Sequence, residues 1–151
     1  MKSEIFQQLL FRTAVTTIAV DGEIHEAEME EVKSIIKNTA YFLDFEYDLT
    51  LKEIIGEINT KGKEAINSFL SSLPESEMSE QQKIILLDVI LRMIEADKGV
   101  HPNEVQFLQL VKARIKLSEE LLIIKFPKQI DYFIGGNYGV DDIFDIELNF
   151  T

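Results

Sequence analysis

One short pattern occurs twice in this chain, 76 residues apart: Asp21-Gly22-Glu23-Ile24-His25-Glu26-Ala27-Glu28 and Asp97-Lys98-Gly99-Val100-His101-Pro102-Asn103-Glu104. The flanking apolar positions keep the same offset. Ala14 pairs with Ile90, Val15 with Leu91, Ile18 with Ile94, Met29 with Val105, Val32 with Leu108 and Ile35 with Val111. Each copy reads as an apolar helix, a tight acidic turn and a second apolar helix. A unit of that size cannot bury its apolar face alone, so two copies must pack on each other around one core. The expected class is therefore all-α: a compact helical domain with two pseudo-symmetric helix-turn-helix halves, at residues 3–38 and 79–116.

The rest of the chain fits about seven helices. Residues 3–20 carry a broad apolar stripe through Phe6, Leu10, Ala14 and Ile18, and residues 26–38 carry one through Met29, Val32 and Ile35. Thr50, with Glu53 three residues on, marks a helix start with a capping box. Residues 63–73 form another helix, and residues 74–79 link the halves. Ser79 and Gln82 start a long helix whose Ile84, Leu87, Leu91 and Ile94 form a packing seam, which places it centrally. Within it Asp88 and Arg92 are spaced as an ion pair. Ser118 caps a last helix that Pro127 stops. The aromatic and acidic stretch from Tyr41 to Tyr47 has no clear period. The expected domain is residues 1–127, with a tail of 128–151. In that tail Ile146, Leu148 and Phe150 alternate with acidic and polar residues, which is the period of a strand. Residues 130–134 are its expected extended partner in a hairpin-like arrangement. Such a tail must dock on the helices or pair with another chain.

Composition narrows the function. Hydrophobic residues make up 46% of the chain, enough for a filled core. The net charge of −12 opposes nucleic acid and anionic membrane surfaces and favours cations, basic protein segments or plain solubility. No cysteine is present, which suits a reducing compartment. With no secretory core and no membrane-length apolar run, the expected location is cytoplasmic. Neither a nucleophile–histidine pair, a phosphate-cradling glycine loop nor a zinc helix is found, so the chain reads as non-enzymatic.

Much of the repeated motif is explained by helix starts. With His25 and His101 as N-caps, Glu28 and Glu104 fall at the third helical position, where glutamate reaches back to the cap N–H. Pro102 falls at the first, where proline is welcome. Asp21 and Asp97 have two readings: hydrogen-bonding to turn N–H groups, or coordination of a divalent cation such as calcium or magnesium together with Glu28 and Glu104. A true calcium-binding EF-hand is rejected, because Thr17 and Ala19 in one copy, and Met93 in the other, stand where its first ligands belong.

The arrangement of apolar helix, small residue, Asp-Gly, Ile, cap, two residues and Glu resembles the TerB-like (tellurite-resistance) family. The second copy, Ala96-Asp97-Lys98-Gly99-Val100-His101-Pro102-Asn103-Glu104, shows it too. The resemblance spans residues 3–125 and implies an all-helical domain, acidic residues that bind metal and a role in the response to tellurite or other stress. Carried over, those acidic residues are Asp21, Glu28, Asp97 and Glu104. Lys98 departs from the pattern by standing at the usual glycine position, which weakens the second site. The functional expectation is a non-enzymatic binding module with a divalent cation at its acidic turns. The alternative is a protein-interaction or homodimer-forming module that uses Ile146, Leu148 and Phe150.

Overall fold

A computed structural model describes residues 1–20, 22, 26–96 and 99–134. Among them are eight α-helices and no strand: α1 (Ser3–Ala19), α2 (Glu26–Asn38), α3 (Asp48–Lys61), α4 (Lys63–Ser72), α5 (Glu80–Ala96), α6 (Pro102–Ile115), α7 (Glu119–Lys125) and α8 (Ile130–Ile134). The repeat is visible as α1–α2 and α5–α6. At the centre α1 packs along α5; α2 lies on α5, and α6 touches both α5 and α1.

The reason α5 is central can be read along its length. Leu86, Leu87, Val89, Ile90, Leu91, Met93 and Ile94 are all buried, so apolar side chains cover most of its circumference. Ser79 and Gln82 start it as a reciprocal pair: the Gln82 N–H donates to Ser79 Oγ at 3.1 Å and the Ser79 N–H to Gln82 Oε1 at 3.0 Å. Ser118 caps α7 by accepting from the Leu121 N–H at 3.2 Å. Gly62 joins α3 to α4 in one residue, at φ 61° and ψ −136°, a conformation that only glycine adopts without strain.

The halves share a motif but not an environment. In α6 the residues from Glu104 to Leu108, with Leu110, Val111 and Ile115, are buried, beneath α4 and α8. In α2 only Glu28, Val32 and Ile35 are buried. Glu26 and Glu30 of α2 face solvent, and Glu30 pairs loosely with Lys33 at 3.6 Å.

Three expectations about local structure need correction or completion. The α3 helix begins at Asp48, not behind a Thr50 cap, and Tyr47 precedes it without a side-chain cap bond. The first helical bond runs from the Leu51 N–H to the Tyr47 carbonyl at 2.8 Å, and the Tyr47 ring is held 6.0 Å from that of Phe11. Packing of the tyrosine, rather than capping chemistry, sets this boundary. The stretch from Tyr41 to Tyr47 contains a 3-10 turn, Ala40–Phe42. Its rings gather on Phe11, with Phe42 edge-on at 6.3 Å and Phe45 at 5.3 Å. Residues 130–134, expected as an extended strand partner, form a turn of helix instead. Phe133 is buried against Phe126, with ring centroids 5.7 Å apart, and Gln109 Nε2 donates to the Tyr132 carbonyl at 2.8 Å. The helical body thus runs to Ile134; Ile146, Leu148 and Phe150 lie outside the described residues.

The expected Asp88–Arg92 pair is present, with Nε to Oδ2 at 3.1 Å, and it has a third member. The Tyr41 hydroxyl donates to the same Asp88 oxygen at 3.1 Å, fastening the irregular segment to α5. Burial, then the Asp88 charge and hydrogen bond, push the Tyr41 pKa above its ordinary value of 10.0, with Arg92 opposing. A raised folded-state pKa gives stability that is complete below pH 10 and is lost as pH rises through the folded value. Stability of the native chain is therefore expected to fall more steeply above about pH 10 than that of Tyr41→Phe. Denaturant unfolding at pH 8 and at pH 11 measures this; parallel losses in both proteins would contradict it.

Candidate functional site

Of the two acidic turns, one follows α1 and the other precedes α6 in sequence. The first begins where α1 stops. The Val20 N–H donates to the Thr16 carbonyl at 3.1 Å and the Gly22 N–H to the Ala19 carbonyl at 3.0 Å. Gly22 sits at φ 85°, in the left-handed region that favours glycine. This accounts for the Gly of the Asp-Gly pair. Asp21, Glu23 and His25, like Asp97 and Lys98, lie outside the described residues.

The second turn ends in the expected helix start. His101 is the N-cap of α6 in extended conformation, with Pro102 behind it. Its Nδ1 accepts from the Asn103 N–H at 3.0 Å, and its own N–H donates to Glu104 Oε1 at 3.4 Å. An accepting Nδ1 places the proton of the neutral ring on Nε2. The same register puts Glu28 at the third residue of α2.

Both of these glutamates are inside the protein. Glu28 is 0% exposed and Glu104 2% exposed. A carboxylate taken out of water carries a large desolvation cost. The helix N-terminus offsets part of it through N–H groups and the positive end of the dipole. That two repeats 76 residues apart bury the same residue type at the same helical position makes it a built feature rather than a solvated charge. Among the described residues no group of three or more His, Asp or Glu side chains gathers as a metal cage. The described donor set is thus one buried carboxylate per repeat, an oxygen ligand of the class that hard cations take.

The repeats are also joined directly. Asn103 Nδ2 donates to the Val20 carbonyl at 3.0 Å. This bond joins the start of α6 to the residue that ends α1, so those two helix ends lie together. The residue equivalent to Asn103 in the first repeat is Ala27, which has no side-chain donor to return the bond. Sequence reading passed over Asn103; the Asn/Ala mismatch at that offset was the signal available. Asn103→Ala is expected to destabilise the fold by about 1–2 kcal/mol, because a buried carbonyl loses its partner. Urea unfolding with an unchanged midpoint would contradict it.

Among the described residues no helix is long and apolar enough to cross a membrane. No curated protein and no solved structure matches the chain. Residues 9–124 match the family described as tellurite resistance protein TerB, a span that takes in both helix-turn-helix units, the inserted α3–α4 pair and most of α7. With that match over most of its length and a helical body among the described residues, the chain belongs to the TerB family.

Proposed function

We propose that this TerB-family chain is a non-enzymatic binding module of the cytoplasm, whose first acidic turn takes a divalent cation of the calcium or magnesium class in a tellurite-type stress response. Asp21 and Glu28 would supply oxygens to the cation, which when bound would offset their negative charge. Asp97 and Glu104 form the weaker equivalent, because Lys98 brings a like charge to the cation and Glu104 already accepts the His101 N–H.

The observation that carries this reading is the burial of Glu28 at the start of a helix whose Glu26 and Glu30 face solvent. A helix cap alone works at the surface, whereas a cation-binding carboxylate gains from a low-dielectric setting. The Val20–Asn103 bond holds the end of α1 against the second repeat. Binding at the first turn would therefore stiffen the junction between the two halves. The role of the module would be to present that stiffened end to a protein partner.

Thermal unfolding of chelator-treated protein tests the reading, with and without millimolar Ca²⁺, Mg²⁺, Mn²⁺ or Zn²⁺. A cation at about 100 times its dissociation constant stabilises by about 2.7 kcal/mol, a rise in midpoint on the order of 5–10 °C for a chain of this size. A rise with Ca²⁺ or Mg²⁺ is expected. Identical midpoints in all solutions would leave the turns as helix caps.

A further inference from the structure

The last two helices leave three isoleucines uncovered. The α7 helix sends Leu122 into the core, but Ile123 and Ile124 remain 51% and 70% exposed. The α8 helix buries Phe133 and leaves Ile134 51% exposed. A single surface isoleucine needs no explanation. Three within twelve residues, on consecutive helices joined by the Phe126–Phe133 contact, do.

The segment after Ile134 has the matching chemistry. Residues 135–151 lie outside the described residues, but their sequence carries Ile143, Phe144, Ile146, Leu148 and Phe150, together with Asp141, Asp142, Asp145 and Glu147 and no basic residue. The stretch 112–128, which includes α7, runs against the charge of the chain, with five basic residues and two acidic ones. Lys125 and Lys128 flank the exposed isoleucines in sequence. An apolar acidic segment thus follows a stretch of sequence that is basic and leaves Ile123 and Ile124 exposed.

We propose that residues 140–150 dock in cis over the exposed Ile123, Ile124 and Ile134, with their acidic side chains set against Lys125 and Lys128. The occupant is the chain's own tail and not a second copy, for two reasons. The tail is tethered at Ile134 itself, so its effective concentration at these isoleucines is on the order of millimolar, whereas a second copy must meet the full entropic cost of association. Gly135, Gly136 and Gly139 also allow the chain to reverse direction directly after α8. Reach is not limiting, since ten extended residues span about 33 Å and a seven-residue helix is about 10 Å long.

The native chain has no cysteine, so Asn149→Cys in the full-length protein gives one attachment point for a nitroxide. Isoleucine δ-methyl signals are then read with the nitroxide oxidised and reduced. Docking predicts strong broadening at Ile123, Ile124 and Ile134, with Ile54 and Ile66 as buried controls. The broadening should survive dilution into excess unlabelled protein and be lost when Leu148→Asp and Phe150→Asp are added. No selective broadening would overturn the proposal. Broadening seen only between isotope-labelled and nitroxide-labelled molecules would overturn it in favour of a second copy on the same isoleucines.

Discussion

Phe107→Ala is expected to lower the unfolding free energy by about 3–5 kcal/mol, on the order of 10 °C or more in midpoint. Phe107 is fully buried in α6 and stacks on Phe69 of α4 with ring centroids 6.0 Å apart. The substitution removes apolar burial and leaves a ring-sized cavity that the neighbouring helices cannot close without moving. It also removes one of the contacts between α4 and α6. Denaturant unfolding gives the number directly. A loss below about 1.5 kcal/mol, the scale of volume-conserving core changes, would mean that the site collapses freely and that α4 is not held there.

The second large effect is expected at Phe11→Ala, again about 3–5 kcal/mol. Phe11 is the hub on which Phe42, Phe45 and Tyr47 converge. It differs from Phe107 in what the loss releases. The segment from Tyr41 to Tyr47 has one short 3-10 turn of its own and depends on these ring contacts and on the Tyr41–Asp88 bond. Hydrogen exchange in residues 40–47 should therefore rise by more than global destabilisation explains, whereas Phe107→Ala should leave that segment's relative protection unchanged. A Phe11→Ala/Phe42→Ala pair should also be non-additive by about 0.5–1.5 kcal/mol. Strict additivity would show that the rings are merely buried side by side.

These two sites mark what sequence alone could and could not resolve. The repeat located α1, α2, α5 and α6, because apolar spacing and helix starts are local signals that recur at a fixed offset. The caps at Ser79, His101 and Ser118 were legible for the same reason, since each involves residues two or three apart. The Asp88–Arg92 pair was legible, but Tyr41 as its third partner, 47 residues from Asp88, was not. Thr50 and Glu53 have the pattern of a capping box, yet contact between Tyr47 and Phe11 moves the start of α3 upstream. Residues 130–134 are too few for periodicity to separate one helical turn from a strand, and burial of Phe133 decides it.

The candidate site divides along the same line. Glu28 and Glu104 were chosen for their register, and the structure adds that both are buried. The Asn103–Val20 bond spans 83 residues, so no local pattern could foretell that the end of α1 and the start of α6 meet. Asp21, Asp97 and His25 lie outside the described residues and rest on the repeat and the family. The asymmetry between a half-exposed α2 and a covered α6 is a tertiary property as well. It distinguishes two motifs that share Asp, His and Glu at the same offsets, and it supports the proposal that the first turn takes the cation.

Calorimetric titration of Ca²⁺ and of Mg²⁺ into the native chain, Asp21→Asn and Asp97→Asn tests that claim most directly. The account predicts saturable binding in the native chain and in Asp97→Asn, and its loss in Asp21→Asn with the cation-free midpoint little changed. Equal binding by the native chain and Asp21→Asn, or no binding heat for either cation in the native chain, would contradict it.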